Sequence, residues 1–284
     1  MNPGILGLGT YVPEKILSNR EIEKLVETSD EWIIERTGIR ERRIAGKERV
    51  SQLGAKAALK AIKDAGINSS DIDCIVLTSA SPEYVFPATA CLVQKELGLE
   101  GIPAFDVQAV CTGFNYALTV ASSFIKAGFY RNILVIGAEK MSAFVDWSDR
   151  TTCILFGDGA GAVVLGEVEK GFGVISSVLG ADGRGNELLY IPAGGSRLPA
   201  SFETVSKRKH FIKMNGREVF KWAVRVLAEV TKRVVSEEGL SIEDIDYFIF
   251  HQANKRIIDA ISKNLNIPDE KMVVNIDRVG NTST

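Results

Sequence analysis

Residues 65–80 read AGINSSDIDCIVLTSA, and residues 238–253 read EGLSIEDIDYFIFHQA. Gly66, Asp71, Ile72, Asp73 and Ala80 recur, without a gap, as Gly239, Asp244, Ile245, Asp246 and Ala253. In each copy an amphipathic helical pattern runs into a short apolar stretch, 74–77 and 247–250, that reads as a strand. A further helical pattern and a second strand follow, 104–107 in the first copy and 272–276 in the second. Constant register with the same order of elements around it marks a duplicated βα unit. Strands alternating with helices predict an α/β class of mostly parallel sheets covered by helices.

The repeat carries positions from one half to the other. His251 directly follows the second-copy strand, where Thr78 stands in the first. Cys111 follows the 104–107 strand at about the interval that separates Gly280 and Asn281 from 272–276. Ligands of open parallel sheets collect at the carboxyl ends of strands, so these three residues are expected to converge despite their distance in sequence. After Cys111 the first copy continues through a helix over 112–127 and strands over 132–136 and 161–165. Past Asn281 only three residues remain, and the repeat therefore predicts a further helix and strands beyond residue 284.

Composition narrows the class. The 284 residues are 45% apolar and 25% charged, as in an ordinary globular protein. A net charge of −2 argues against a nucleic-acid surface. The start, MNPGILGLGT, lacks the basic residues and apolar run of a secretory signal, and no stretch approaches the ~18 apolar residues of a membrane span. The four cysteines form no CxxC pair and there are two histidines, so no zinc site is expected, and the thiols read as those of a reduced, cytoplasmic protein. Cys74, Cys91 and Cys153 read as buried and inert, and His210, among charged neighbours, as a surface residue. GLGTYV lacks the third glycine of a dinucleotide fingerprint, and GDGAG lies between strands instead of opening a helix.

Cys111 sits in DVQAVCTGFNYAL, between an apolar strand and a helix with small and apolar residues on nearly every face. At a helix N-terminus the macrodipole favours thiolate, and thiolates attack thioesters readily. An inert buried cysteine is the competing reading of this segment. His251 stands at a strand end before Gln252 and Asn254. Asn281, in RVGNTST, also fits simple turn chemistry.

Taken together, DVQAVCTGFNYAL (106–118), HQANKRI (251–257), GNTS (280–283), DRTTCILFGDGAGAVVL (149–165) and SDEWIIERTGIRERR (29–43) resemble the β-ketoacyl-[acyl carrier protein] synthase III family. These are initiating condensing enzymes of type II fatty acid synthesis, and the motifs run from near the first residue to the last. The resemblance implies a duplicated thiolase-like fold, five-layered αβαβα with two mixed sheets. Its halves would be 1–168, with the nucleophile, and 169–284, with the histidine and asparagine. It implies Cys111 as acyl acceptor and His251 and Asn281 as the rest of a Cys-His-Asn triad. Acyl-CoA and malonyl-[acyl carrier protein] would be substrates, and no cofactor is needed. A second oxyanion donor would come from a glycine-rich loop beyond the residues present.

The same resemblance implies that Trp32 and Arg150 sandwich the CoA adenine, with Arg36 one helical turn from Trp32 behind an Asp30 cap. Asn254 would contact the pantetheine arm. Phe86 would reach into the acyl cavity of a second subunit in a homodimer, although alone it reads as a core residue. Arg217, Lys221 and Arg225 recur on one helix face, and residues 207–225 hold seven Lys/Arg against one acidic residue. Lys221 and Arg256 match the family's carrier-protein contacts. Elongating synthases resemble a Cys-His-His arrangement and thiolases use a second cysteine, and neither pattern is present at GNTS.

Overall fold

The computed structural model describes residues 2–284. Strands β1 (Pro3–Tyr11), β2 (Cys74–Thr78), β3 (Ala104–Asp106), β4 (Ile133–Lys140) and β5 (Asp158–Glu167) form one mixed sheet in the order β1-β5-β4-β2-β3. β2 pairs in parallel with both β3 and β4, while β5 runs antiparallel to β4 and β1. All five residues of β2 are buried, the pattern of a central strand covered on both faces.

Alternation along these strands separates two cores. Ile75, Leu77, Leu134, Ile136 and Val164 pack on Ala57, Ala58 and Ala61 of helix α2 (Val50–Asp64), which follows helix α1 (Asp30–Thr37). On that face α2 is joined by helix α3 (Thr89–Glu96), through Ala90 and Val93. Cys74, Val76, Ile133, Val135 and Leu165 face the other way, onto Ala117, Ala121 and Ile125 of helix α4 (Gly113–Lys126). Each fully buried Val, Leu or Ile contributes about 1.5–3 kcal/mol, so α4, and with it Cys111, is held by the sheet's own core.

The repeat survives in backbone detail. Gly66 and Gly239 both take left-handed φ, 68° and 70°. Each is followed by a 3-10 turn, Ser69–Asp71 and Ile242–Asp244, in which the aspartate accepts a 2.8 Å bond from the backbone N–H three residues earlier. The second-half strands do not form as expected. Stretches 247–250 and 272–276 meet in a single parallel bridge, Phe248 to Met272, and Ile276–Val279 is a short helix. A parallel ladder becomes regular when strands flank it on both sides. Here Tyr247 is 69% and Ile249 78% exposed, so the alternate face is uncovered. Helix α5 (Gly216–Glu237) and helix α6 (Lys255–Leu265) pack together over Ala228, Phe248, Ile257, Ile261 and Leu265.

Three smaller expectations are corrected. Ser29, not Asp30, caps α1, its Oγ accepting from Trp32 N at 3.1 Å, while Asp30 takes a bond from Asn19. The GDGAG run opens β5 itself, because Asp158 is buried and accepts from Ala45 N and from Ser142 N and Oγ, which fixes the strand's first residue. His210 is half-buried against Phe211, with ring centroids 4.0 Å apart. Its segment is drawn onto the body by the Arg208–Asp146 ion pair and by the buried Ile212.

Candidate active site

Cys111 lies in a short 3-10 turn, Val110–Thr112, between β3 and α4. Val110 has φ +49°, a region that a β-branched residue adopts only under strain, and such strain concentrates at functional turns. Gly113 must be glycine: a Cβ there would lie 1.9 Å from Thr78 Oγ1. Close approach of α4 to the end of β2 follows, and it seats the cysteine at the sheet's carboxyl edge.

Asn281 reaches the same edge from the second half. It forms a parallel bridge with Phe156, its N–H donating to Leu155 O at 2.9 Å and its carbonyl accepting from Gly157 N at 3.0 Å. Gly280, at φ +69°, makes the turn into it. Asn281 is buried, and its Oδ1 accepts from Ser283 N at 2.8 Å, which leaves the Nδ2 hydrogens for the cavity. Ser283, itself at φ +58°, brings its Oγ to 3.5 Å from Cys111 Sγ.

His251 follows the Phe248–Met272 bridge. Its neighbour Gln252 ties the two stretches together, donating to Phe250 O at 2.9 Å and Val273 O at 3.1 Å and accepting from Asn275 N at 3.1 Å. Burial lowers the His251 pKa to about 4, so the imidazole is neutral at pH 7 and keeps one N–H to donate. Burial pushes the Cys111 thiol the other way, upward; the Ser283 hydroxyl pulls it down and the Glu139 charge adds to the rise. The expected lowering by the helix dipole is therefore overridden, since desolvation of a thiolate outweighs a partial charge at a helix end.

Cys111, His251 and Asn281 line one cavity of about 1240 Å³. Trp32, Arg36, Arg150 and Asn254 line it too, as do Lys221 and Arg256. Arg150 Cζ sits 5.1 Å and Arg36 Cζ 5.9 Å from the Trp32 ring centroid, and Arg150 Nη1 donates to Glu27 O at 2.9 Å. A ring inserted between Trp32 and Arg150 needs about 7 Å, two carbon contacts of ~3.5 Å, so Arg150 must swing outward to admit one. Asn254 caps α6, accepting from Arg256 N at 2.9 Å, and its Nδ2 donates to Arg36 O at 3.1 Å. Its amide thus ties the start of α6, four residues after His251, to α1. Lys221 pairs with Glu218 at 2.9 Å, and Arg256 Cζ lies 5.7 Å from the Phe220 ring. Arg217, Lys221 and Arg225 are all exposed.

Phe86 is not among the cavity residues and is 83% exposed, in a loop with Tyr84 at 58% and Val85 at 90%, so it is no core residue of this chain. Cys74 and Cys153 are buried, as expected, while Cys91 is only partly so, its Sγ donating to Ala104 O at 3.5 Å. Ser283 and Glu139 escaped the sequence reading. Ser283 lay within the GNTS motif, but a hydroxyl against the sulfur has no sequence signature.

The model for 3-oxoacyl-[acyl-carrier-protein (ACP)] synthase III matches residues 105–183, and the model for its C-terminal part matches residues 235–284. A β-ketoacyl-[acyl-carrier-protein] synthase III of Caldanaerobacter subterraneus subsp. tengcongensis is 53% identical over 281 residues, covering 99% of this chain and 85% of the relative. The chain belongs to the β-ketoacyl-[acyl-carrier-protein] synthase III family. Another member, from Chlamydia pneumoniae, is 51% identical over 98% of this chain and 84% of its own length. The crystal structure of the 3-oxoacyl-[acyl-carrier-protein] synthase III from Aquifex aeolicus VF5 superposes with a TM-score of 0.91 at 46% identity, covering 99% of this chain and 86% of that one. Family membership makes the chain a condensing acyltransferase of thiolase-like fold. Among the described residues no helix is long and apolar enough to cross a membrane.

Proposed function

We propose that the chain condenses an acyl-CoA primer with malonyl-[acyl carrier protein], releasing carbon dioxide and 3-oxoacyl-[acyl carrier protein], the initiating step of type II fatty acid synthesis. The observation that carries this reading is the meeting of Cys111, His251 and Asn281 at one cavity. Cys111 Sγ attacks the acyl-CoA carbonyl, CoA leaves as the thiol, and the acyl group stays on sulfur. The high thiol pKa means that little thiolate exists before the acyl donor arrives. In this reading the backbone N–H of Cys111 holds the tetrahedral oxyanion.

Malonyl-[acyl carrier protein] then loses carbon dioxide, and its electron pair moves into an enolate whose oxygen needs donors. A neutral His251 and the Nδ2 of Asn281 are two such donors in a partly enclosed cavity. The enolate carbon attacks the acyl-cysteine carbonyl and the sulfur departs. Trp32, Arg36 and Arg150 grip the CoA end, Asn254 borders the pantetheine path, and Lys221 with Arg256 face the acidic carrier protein. A homodimer, in which the exposed Phe86 enters the second subunit's acyl cavity, and a cytoplasmic setting complete the reading. The halves divide at 1–168 and 169–284.

Intact-mass spectrometry after mixing with acetyl-CoA tests it. The expected result is a single acetyl adduct, lost in Cys111→Ala and discharged by malonyl-[acyl carrier protein] with formation of 3-oxoacyl product. An adduct that persists in Cys111→Ala overturns the assignment. Cys111→Ser is a weaker control, because an alcohol acylates slowly.

A further inference from the structure

Glu139, near the end of β4, is 1% exposed, and donors converge on both of its oxygens. Oε1 accepts from Ala80 N at 2.8 Å, from Thr284 N at 3.4 Å and from Thr284 Oγ1 at 2.6 Å. Oε2 accepts from Ser79 Oγ at 3.3 Å and from Ser81 Oγ. Both serine oxygens already accept elsewhere, Ser79 from Ser81 N at 3.1 Å and Ser81 from Lys140 N at 2.7 Å, so their protons turn to Glu139. Acceptor-only chemistry of this kind satisfies a carboxylate.

These donors come from two distant stretches. Residues 79–81 leave the end of β2 and lead into the exposed loop of Tyr84, Val85 and Phe86. Thr284 lies three residues after Asn281, and its Cγ2 sits 3.1 Å from where a Cβ on Gly113, the first residue of α4, would be. One buried carboxylate thus joins the base of the exposed loop, the asparagine segment and the start of the nucleophile helix. We propose that Glu139 is a positioning residue for the condensation, which holds the 281–284 segment, and with it Asn281, in register. The proposal rests on the roles given above to Cys111 and Asn281.

Burial raises the Glu139 carboxyl above the usual carboxylate range, and the bonds from Ser81, Thr284 and Ala80 offset only part of that rise. At Cys111, the Glu139 charge adds to burial in raising the thiol. The other titratable groups around the cavity are differently placed. His251 is neutral by burial, Asp182 is paired with Arg184, and Arg36, Arg150, Arg256 and the basic face of α5 are exposed to solvent.

Two readouts on the intact chain test this: acylation of Cys111 by acetyl-CoA, followed by intact mass, and single-turnover carbon dioxide release from malonyl-[acyl carrier protein]. Glu139→Gln keeps the size, but its amide turns its own donors on two of the bound groups. Carbon dioxide release is expected to fall about tenfold or more while acylation of Cys111 changes little. Thr284→Val loses one of the bonds and shows the same split at smaller size, and Glu139→Asp, which keeps a carboxylate, recovers part of the release rate. Wild-type release in Glu139→Gln, or equal losses in both steps, overturns the proposal. Should Glu139→Gln not fold, Thr284→Val and Glu139→Asp are read in the same way. Failure of wild-type Cys111 to take an acyl group sinks the nucleophile assignment instead.

Discussion

The hydroxyl of Ser283 lies 3.5 Å from the sulfur of Cys111, 172 residues earlier in the chain. Both approach from strained backbone, Val110 at φ +49° beside the cysteine and Ser283 at φ +58°. Burial opposes ionisation of this thiol and the serine favours it. Replacing Ser283 by alanine is therefore expected to raise the midpoint of Cys111 alkylation. A neutral bond of about 1 kcal/mol corresponds to a roughly fivefold slower acylation at fixed pH. Stopped-flow release of CoA from acetyl-CoA measures it, and an unchanged rate removes the serine from the mechanism.

Asn281 is oriented by its own neighbour. Because Ser283 N occupies its Oδ1, the amide presents nitrogen to the cavity. Asn281→Ala should leave acylation of Cys111 nearly intact and slow decarboxylation of malonyl thioester about 10²–10³-fold, the usual cost of one lost oxyanion donor. Single-turnover measurement of carbon dioxide release separates the two steps, and equal losses in both would contradict a donor role.

His251 makes a prediction about stability. Its folded pKa of about 4 lies below the ordinary 6.5. Between those values the unfolded chain binds a proton that the native chain refuses. Native stability is thus complete above pH 6.5 and is lost as pH falls toward 4. Urea unfolding should show a contribution of about 2 kcal/mol disappearing between pH 7 and pH 5. His251→Gln should lack that contribution, and identical pH dependence in the two proteins would show that the imidazole is not held neutral.

Gly280 is fixed by its backbone. At φ +69° and ψ −162° it occupies a region open almost only to glycine, and a Cβ would lie 2.9 Å from Leu155 O. Gly280→Ala is expected to cost about 1–3 kcal/mol of stability and to displace Asn281, lowering turnover more than it lowers Cys111 acylation. Thermal unfolding and the acylation assay together check this.

The Trp32–Arg150 contact should open on binding. Trp32→Ala and Arg150→Ala are each expected to raise KM for acyl-CoA about tenfold with kcat little changed, since stacking is lost equally from ground and transition states. Tryptophan fluorescence of the wild type should change on adding CoA. A fall in kcat at constant KM would place these residues nearer the chemistry.

Local pattern was legible without coordinates. The apolar runs CIVLT and ILVIG and the small and apolar residues of the helix after Cys111 follow from short-range sterics and periodicity, and these elements are present. Offset between the repeats was enough to send Cys111, His251 and Asn281 toward one another, and they line one cavity. Strands 247–250 and 272–276 carried the same signal yet remain a single bridge, because a ladder needs neighbours that the local pattern does not supply.

The ionisation of the site was decided by tertiary structure alone. Helix position by itself argues for a readily ionised cysteine, whereas burial, Glu139 and Ser283 act on it from separate parts of the chain and set the opposite direction. The same holds for the neutral His251 and for the turned amide of Asn281. Residue type and spacing determine which groups can meet, because periodicity is local. Desolvation and hydrogen-bond direction depend on what surrounds a group in three dimensions, and those emerge only when the two halves close on each other.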